Sequence, residues 1–334
     1  MRIKNIFMSV QKHTLRILRN NLYRLYKSTE QKYRQANRLF LRSVASGPDP
    51  IETAPEVTDR RTGNAWMRFH PVWVLSTGRT GTHTLTELFR LSPKADAFHE
   101  PSPELFGFSY DYHMQRISRG EALRTLMYLR DEIVFRSYRD GFVYIETNNR
   151  VTYLADLLLE LYPGSRFLYL YRNPYDFIRS GMRRRYFRGH MRDSTRIVPA
   201  PSDPYFGEWD HFSHIEKVAW YWAAVNSHCI RFTEQLPDRQ NMSLASEELF
   251  EAPPPLVNQL FDFIGSAGYH PPASEVRRVM GTKHNAQKKG SFSRPKDWSD
   301  KQIAQVDRIV GPVAQKLSYR LLTHKKTSQS LSPE

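Results

Sequence analysis

A short apolar run, Val72-Trp73-Val74-Leu75, lies between Pro71 and Ser76-Thr77-Gly78, which predicts a buried strand. Gly78-Arg79-Thr80-Gly81-Thr82 follows, and then Leu85, Leu88 and Phe89 recur at the spacing of one helix face. Strand, glycine-bearing loop and helix thus follow in order. Phe142–Ile145 predicts a second strand, and Leu154–Tyr162 predicts a helix ended by Pro163-Gly164. Phe167–Tyr171 is the clearest strand, followed by a helix that opens at Asn173-Pro174, where proline fits the first turn. Helices are expected over His214 to about Gln235, Leu256–Ile264 and Lys301–Leu317, with a strand at Met242–Ala245. Strands alternating with helices predict an α/β fold, a mostly parallel sheet covered by helices on both faces.

With 334 residues and 40% hydrophobic side chains, the chain can bury a sizeable core, so wholesale disorder is not expected. A single cysteine, Cys229, rules out an internal disulfide framework and any cysteine-based zinc site, in keeping with the cytoplasm. The formal charge of +15 points to anionic partners. Residues 1–42 carry eleven Lys and Arg against Glu30 alone, which places +10 of the +15 there. Apolar residues at helical spacing make residues 1–45 a basic amphipathic helical arm. It reads either as a solvated or partner-bound helix or as a peripheral contact with an anionic membrane. A Pro-bearing linker over 46–69, a main domain over 70–324 and a flexible tail over 325–334 complete the organisation. No run of about 18 apolar residues exists, so no transmembrane helix is expected.

The loop Gly78-Arg79-Thr80-Gly81-Thr82-His83-Thr84 suits a phosphate or phosphosulfate. Its glycines let amide N–H groups approach an anion, the helix start adds donors and partial positive charge, and Arg79 can bind two oxygens at once. On its own a structural strand-to-helix turn explains it too. It is not a Walker A loop, because Thr82 and His83 follow Gly81 where Lys and Ser or Thr would be needed.

A second constellation decides between these readings. Arg172-Asn173-Pro174-Tyr175-Asp176 follows the strand Phe167–Tyr171, and Ser180 lies eight residues beyond Arg172. An arginine at a strand end and a serine two turns into the next helix can hold one phosphate between them. Together with the loop at 78–84, this resembles the PAPS-dependent sulfotransferase superfamily (PAPS, 3'-phosphoadenosine 5'-phosphosulfate). The resemblance extends over most of residues 70–322. Tyr221-Trp222 with Asn226, Ala245-Ser246-Glu247-Glu248-Leu249, and Leu260-Phe261-Asp262-Phe263-Ile264-Gly265 fall where the family has comparable elements. Lys288-Lys289-Gly290 is similar to its basic-glycine element. The chain departs from the family at His83, in the Ala245–Leu249 segment and in its Lys-Lys pair.

The resemblance implies a P-loop-NTPase-like sheet, PAPS as donor, adenosine 3',5'-bisphosphate as product, and no metal. Gly78, Arg79, Thr80, Gly81, Thr82, His83 and Thr84 would then hold the 5'-phosphosulfate. Arg172 and Ser180 would take the 3'-phosphate, with Lys288, Lys289 and Gly290 closing over it. Arg79 would stabilise charge on the leaving oxygen. Glu100, in Phe98-His99-Glu100-Pro101, would be the base toward a hydroxyl or amine acceptor, with His99 as its rival. The resemblance is nearer to the carbohydrate and tyrosyl sulfotransferases than to the cytosolic small-molecule type. The basic cluster from Arg183 to Arg196 reads as a solvated loop or as a lid for an anionic glycan, and no nucleic-acid motif accompanies it. Glu146 either contacts a ligand or ends its strand. A P-loop-like nucleotide kinase and a non-catalytic binder of PAPS or polyanions are the competing readings.

Overall fold

A computed structural model describes residues 69–282 and 291–323. The arm at 1–45, nearly all of the linker, Lys288, Lys289, Gly290 and the tail at 325–334 lie outside the described residues. Five parallel strands form one sheet: β1 (Val72–Leu75), β2 (Ala95–His99), β3 (Val143–Thr147), β4 (Arg166–Tyr171) and β5 (Asn241–Ala245), in the order β2-β3-β1-β4-β5. The helices are α1 (Thr82–Phe89), α2 (Phe106–His113), α3 (Arg119–Arg139), α4 (Ala155–Leu161) and α5 (Pro174–Arg183). They continue with α6 (His214–Thr233), α7 (Ser246–Glu251), α8 (Pro254–Phe263), α9 (Ala273–Gly281) and α10 (Asp300–Lys316).

Strand periodicity explains the layers. Successive side chains of a strand point to opposite faces, so a central strand must be apolar at every position. Trp73 and Leu75 of β1, with Phe167 and Tyr169 of β4, enter a core built with α3, α4, α5, α6 and α10. Val72 and Val74, with Leu168 and Leu170, enter a second core under α1, α8 and α9. The expected two-sided α/β sheet is therefore what forms. Trp73 also satisfies its indole N–H on the Ser165 hydroxyl at 2.9 Å, which makes a fully buried tryptophan acceptable in the sheet.

The strand order sets the site. The connection after β1 leads through α1 toward β2, while the one after β4 leads through α5 and α6 toward β5 on the other side. Chain paths diverging from neighbouring strands open a crevice at their carboxyl ends, the usual ligand position in such sheets. The crevice between β1 and β4 falls at Ser76–Gly81 and at Arg172-Asn173.

Candidate active site

The loop between β1 and α1 is built from left-handed backbone. Gly78, Arg79 and Gly81 have φ of 72°, 62° and 93°. At Gly81 the dihedral favours glycine, and a Cβ would also lie 3.0 Å from the tip of the exposed Phe250 ring, which would have to give way. Arg79 holds the same conformation with a full side chain, which costs about 1–3 kcal/mol and concentrates strain at this point of the loop. The amides of Thr80, Gly81 and Thr82 have no acceptor among the described residues. The Thr80 hydroxyl is buried without a hydrogen-bond partner among the described residues. Donors left open around a left-handed turn at a helix start form an anion cradle.

Distant segments brace this loop. Thr152 brackets Ser76, accepting from its N–H at 3.0 Å and donating to its carbonyl at 3.1 Å. Ser246, at the start of α7, donates to the Thr80 carbonyl at 2.6 Å. Glu247 accepts the Asn173 N–H at 3.0 Å and the Tyr319 hydroxyl at 2.8 Å, tying α7 to the start of α5. Asn173 in turn caps α5, accepting from the N–H groups of Tyr175 and Asp176. Trp222 donates its indole N–H to the Arg172 carbonyl at 2.9 Å, and Asn226 accepts the Tyr169 hydroxyl at 2.7 Å. The motif residues of α6 and of Ala245–Leu249 thus support the loops at the crevice.

Arg79, Arg172 and Ser180 come together. Arg79 Nε donates to Ser180 Oγ at 3.3 Å, and Arg172 Nη1 donates to the Arg79 carbonyl at 2.9 Å. Burial, with the nearby cations Arg184, Arg172 and Arg183, pushes the Arg79 guanidinium down to about 10, although Tyr186 acts the other way. Arg79 stays charged at neutral pH, in a setting that an anionic ligand would relieve.

Beside the loop, the His83 ring meets the His99 ring edge-on with centroids 4.9 Å apart. His99 Nδ1 lies 2.9 Å from Thr147 Oγ1. Burial, with the neighbouring His83, lowers the pKa of His99 against the opposing pull of Glu100, so the ring is neutral at pH 7. Glu100 follows β2 with φ of 47°, donates its N–H to the Thr147 carbonyl at 3.2 Å and accepts from Arg192 Nη1 at 3.2 Å.

Two open readings are resolved by the packing. Glu146 is a structural residue: its fully buried carboxylate pairs with Arg130 of α3 at 2.7 and 3.0 Å and accepts from the Tyr144 hydroxyl and Asn148 Nδ2. The basic cluster is not a uniformly solvated loop. Arg196 is buried over the Tyr186 ring at 3.5 Å and pairs with Asp193, which also accepts from the amides of Phe187, Gly189 and His190. Sequence reasoning overlooked β2, Arg130 and Arg150. Arg150 is 9% exposed, donates Nη1 to the Thr195 carbonyl at 3.1 Å and has a buried Nε without a partner among the described residues. Among the described residues there is no metal-binding cluster and no helix long and apolar enough to cross a membrane.

An α/β sheet with an anion cradle and two arginines converging at its switch point is suited to a phosphate-bearing ligand. The sulfotransferase domain family matches residues 70–291, about two thirds of the chain, and the chain belongs to that family of PAPS-dependent enzymes. Among solved structures, the chain is similar to the sulfotransferase domain from the curacin biosynthetic pathway, with 15% identity, 76% of this chain and 99% of that one covered, and a TM-score of 0.48. It is also similar to a sulfotransferase from Alicyclobacillus acidocaldarius, with 18% identity, coverage of 75% and 97%, and a TM-score of 0.44. A search of curated proteins gave no match.

Proposed function

We propose that this crevice binds PAPS and that the enzyme transfers its sulfuryl group to a hydroxyl or amine on an anionic glycan. The observation that carries the reading is the meeting of Arg79 with Ser180 and Arg172 between β1 and β4, which joins the loop suited to a 5'-phosphosulfate to the pair suited to a 3'-phosphate. The loop Gly78 to Thr84 holds the 5' end through open amides, the Thr80 hydroxyl and Arg79. Arg172 and Ser180 hold the 3'-phosphate, and Lys288, Lys289 and Gly290 complete that end in the part of the chain outside the described residues.

In the reaction the acceptor oxygen or nitrogen attacks sulfur, and the bond from sulfur to the 5'-phosphate oxygen breaks in line. Adenosine 3',5'-bisphosphate leaves, with Arg79 stabilising its new charge. Glu100 takes the acceptor's proton. No metal ion takes part in this scheme. The neutral His99, hydrogen-bonded at Nδ1 to Thr147, positions the turn that carries Glu100.

Incubation with sulfur-labelled PAPS and a panel of carboxylated oligosaccharides tests the reading. Label appearing in an acceptor with equal release of adenosine 3',5'-bisphosphate is the expected result, and bisphosphate binding no tighter than AMP binding would sink it. A cytoplasmic location is a further part of the proposal, with residues 1–42 able to meet acidic membrane through their +10 charge. Sedimentation with acidic liposomes at low and high salt tests that contact. Failure to bind at low salt removes it.

A further inference from the structure

Arg150 is a buried cation that makes no direct ion pair among the described residues, with the Glu100 carboxylate its nearest opposing charge. Its Nη1 donates to the Thr195 carbonyl, and its buried Nε has no hydrogen-bond partner among the described residues. An unpaired buried charge is strongly unfavourable unless something neutralises it, so such a group commonly marks a place where a ligand does so. Its position is fixed from below. Asn148 Oδ1 accepts the Arg150 N–H at 3.0 Å, while Asn148 Nδ2 donates to Glu146 of the buried ion pair.

The surroundings gather a second cation and the carboxylate of Glu100. The Phe106 ring lies under both Arg150 Cζ, 5.0 Å from its centroid, and Arg192 Cζ, 3.8 Å from it. Arg192 donates to Glu100 at 3.2 Å. Arg196, the third guanidinium here, is already satisfied by Asp193 and the Tyr186 ring. Arg150 follows the carboxyl end of β3, the strand beside β1, and its chain neighbour Asn149 packs 3.4 Å from the position a Cβ would take on Gly78.

We propose that Arg150 and Arg192, tethered to Phe106, form the subsite for a carboxylate or sulfate on the acceptor, and that its arrival draws Arg192 away from Glu100. Arg150 is then a specificity-determining residue, and acceptor charge and base availability are coupled. An acceptor without the anion leaves Glu100 engaged by Arg192. One with the anion frees the carboxylate beside the hydroxyl that must lose its proton. The proposal rests on the reading of the crevice as a PAPS site and of the acceptor as a glycan.

The test uses the full chain saturated with adenosine 3',5'-bisphosphate at physiological salt. Calorimetry compares a tetrasaccharide ending in one glucuronate with the same tetrasaccharide ending in glucose. Wild type is expected to bind the glucuronate form at least about tenfold more tightly. Arg150→Met and Arg192→Met should each remove most of that preference, with bisphosphate affinity at the wild-type value. Arg150→Lys, which keeps the charge, should retain part of it and serves if the methionine variant fails to fold. Equal or absent binding of the two sugars by wild type, or an unchanged preference in both variants, overturns the proposal. Failure of wild type to bind the bisphosphate instead overturns the PAPS reading itself, so the two failures are distinct.

Discussion

Arg79 and Ser180, 101 residues apart in the chain, share a hydrogen bond of 3.3 Å from Nε to Oγ. The bond links the loop after β1 to the helix after β4. Hydrogen bonds to charged groups contribute roughly 1.5–3 kcal/mol each. Ser180→Ala should therefore weaken adenosine 3',5'-bisphosphate binding by about tenfold or more and leave AMP binding nearly unchanged. Calorimetry with both nucleotides checks this. Equal losses for the two would place Ser180 away from the 3'-phosphate.

The Arg130–Glu146 pair predicts a stability effect with no direct role in chemistry. Both side chains are fully buried, and Tyr144 and Asn148 complete the carboxylate's hydrogen bonds. Removing one partner of such a pair strands the other and costs about 3–5 kcal/mol. Arg130→Met should lower the urea midpoint by a corresponding amount. The double variant Arg130→Met, Glu146→Leu should recover part of the loss, because no buried charge is left behind. A double variant no more stable than the single one would mean that packing dominates the effect.

How much of this was legible in the sequence depended on whether a residue's role is local. The β1 loop and its helix could be read because an apolar strand, two glycines and a helical repeat lie within 18 residues. Arg172, Asn173 and Ser180 were legible for the same reason. Strand β2 was not, since it is an edge strand with only Ala97 buried in Ala95–His99. Helix α3 was also missed. Its buried stripe of Ala122, Leu126, Leu129 and Val134 is diluted by exposed Tyr128, Phe135 and Tyr138. Arg130 and Arg150 carry no local signal, because an arginine's burial depends on partners brought in by the fold.

Two histidines predict a loss of stability in mild acid. Burial, with His228 and Arg231 nearby, pushes His113 down to about 4. Burial, with Arg196 nearby, does the same to His190, whose Nδ1 accepts the Arg192 N–H at 3.1 Å. Because both folded values lie below the ordinary 6.5, the unfolded chain takes up these protons first as pH falls. The contribution to stability is whole above about 6.5 and is lost progressively as pH falls toward about 4. Thermal unfolding at pH 7.5 and 5.0 should show a lower midpoint at pH 5.0, and His113→Gln should narrow that difference. A pH dependence unchanged by both His113→Gln and His190→Gln would assign it to other groups.

Glu100 and His99 are adjacent, and the geometry separates their expected contributions. His99 has Nδ1 at 2.9 Å from Thr147 Oγ1 and packs edge-on against His83, which suits a positioning residue. Glu100 extends past the end of β2 on left-handed backbone and meets Arg192. Glutamine at position 100 is nearly isosteric and can still accept from Arg192, but it cannot hold a proton from the acceptor. General base catalysis contributes roughly 10²–10⁴ in rate. Glu100→Gln should therefore lower kcat by that order while the Kd for adenosine 3',5'-bisphosphate stays at the wild-type value. His99→Gln keeps a hydrogen-bonding group toward Thr147 and should lose less than about tenfold. Single-turnover kinetics with nucleotide affinity measured in parallel decide the matter. Full activity in Glu100→Gln beside an inactive His99→Gln would transfer the base assignment to the histidine.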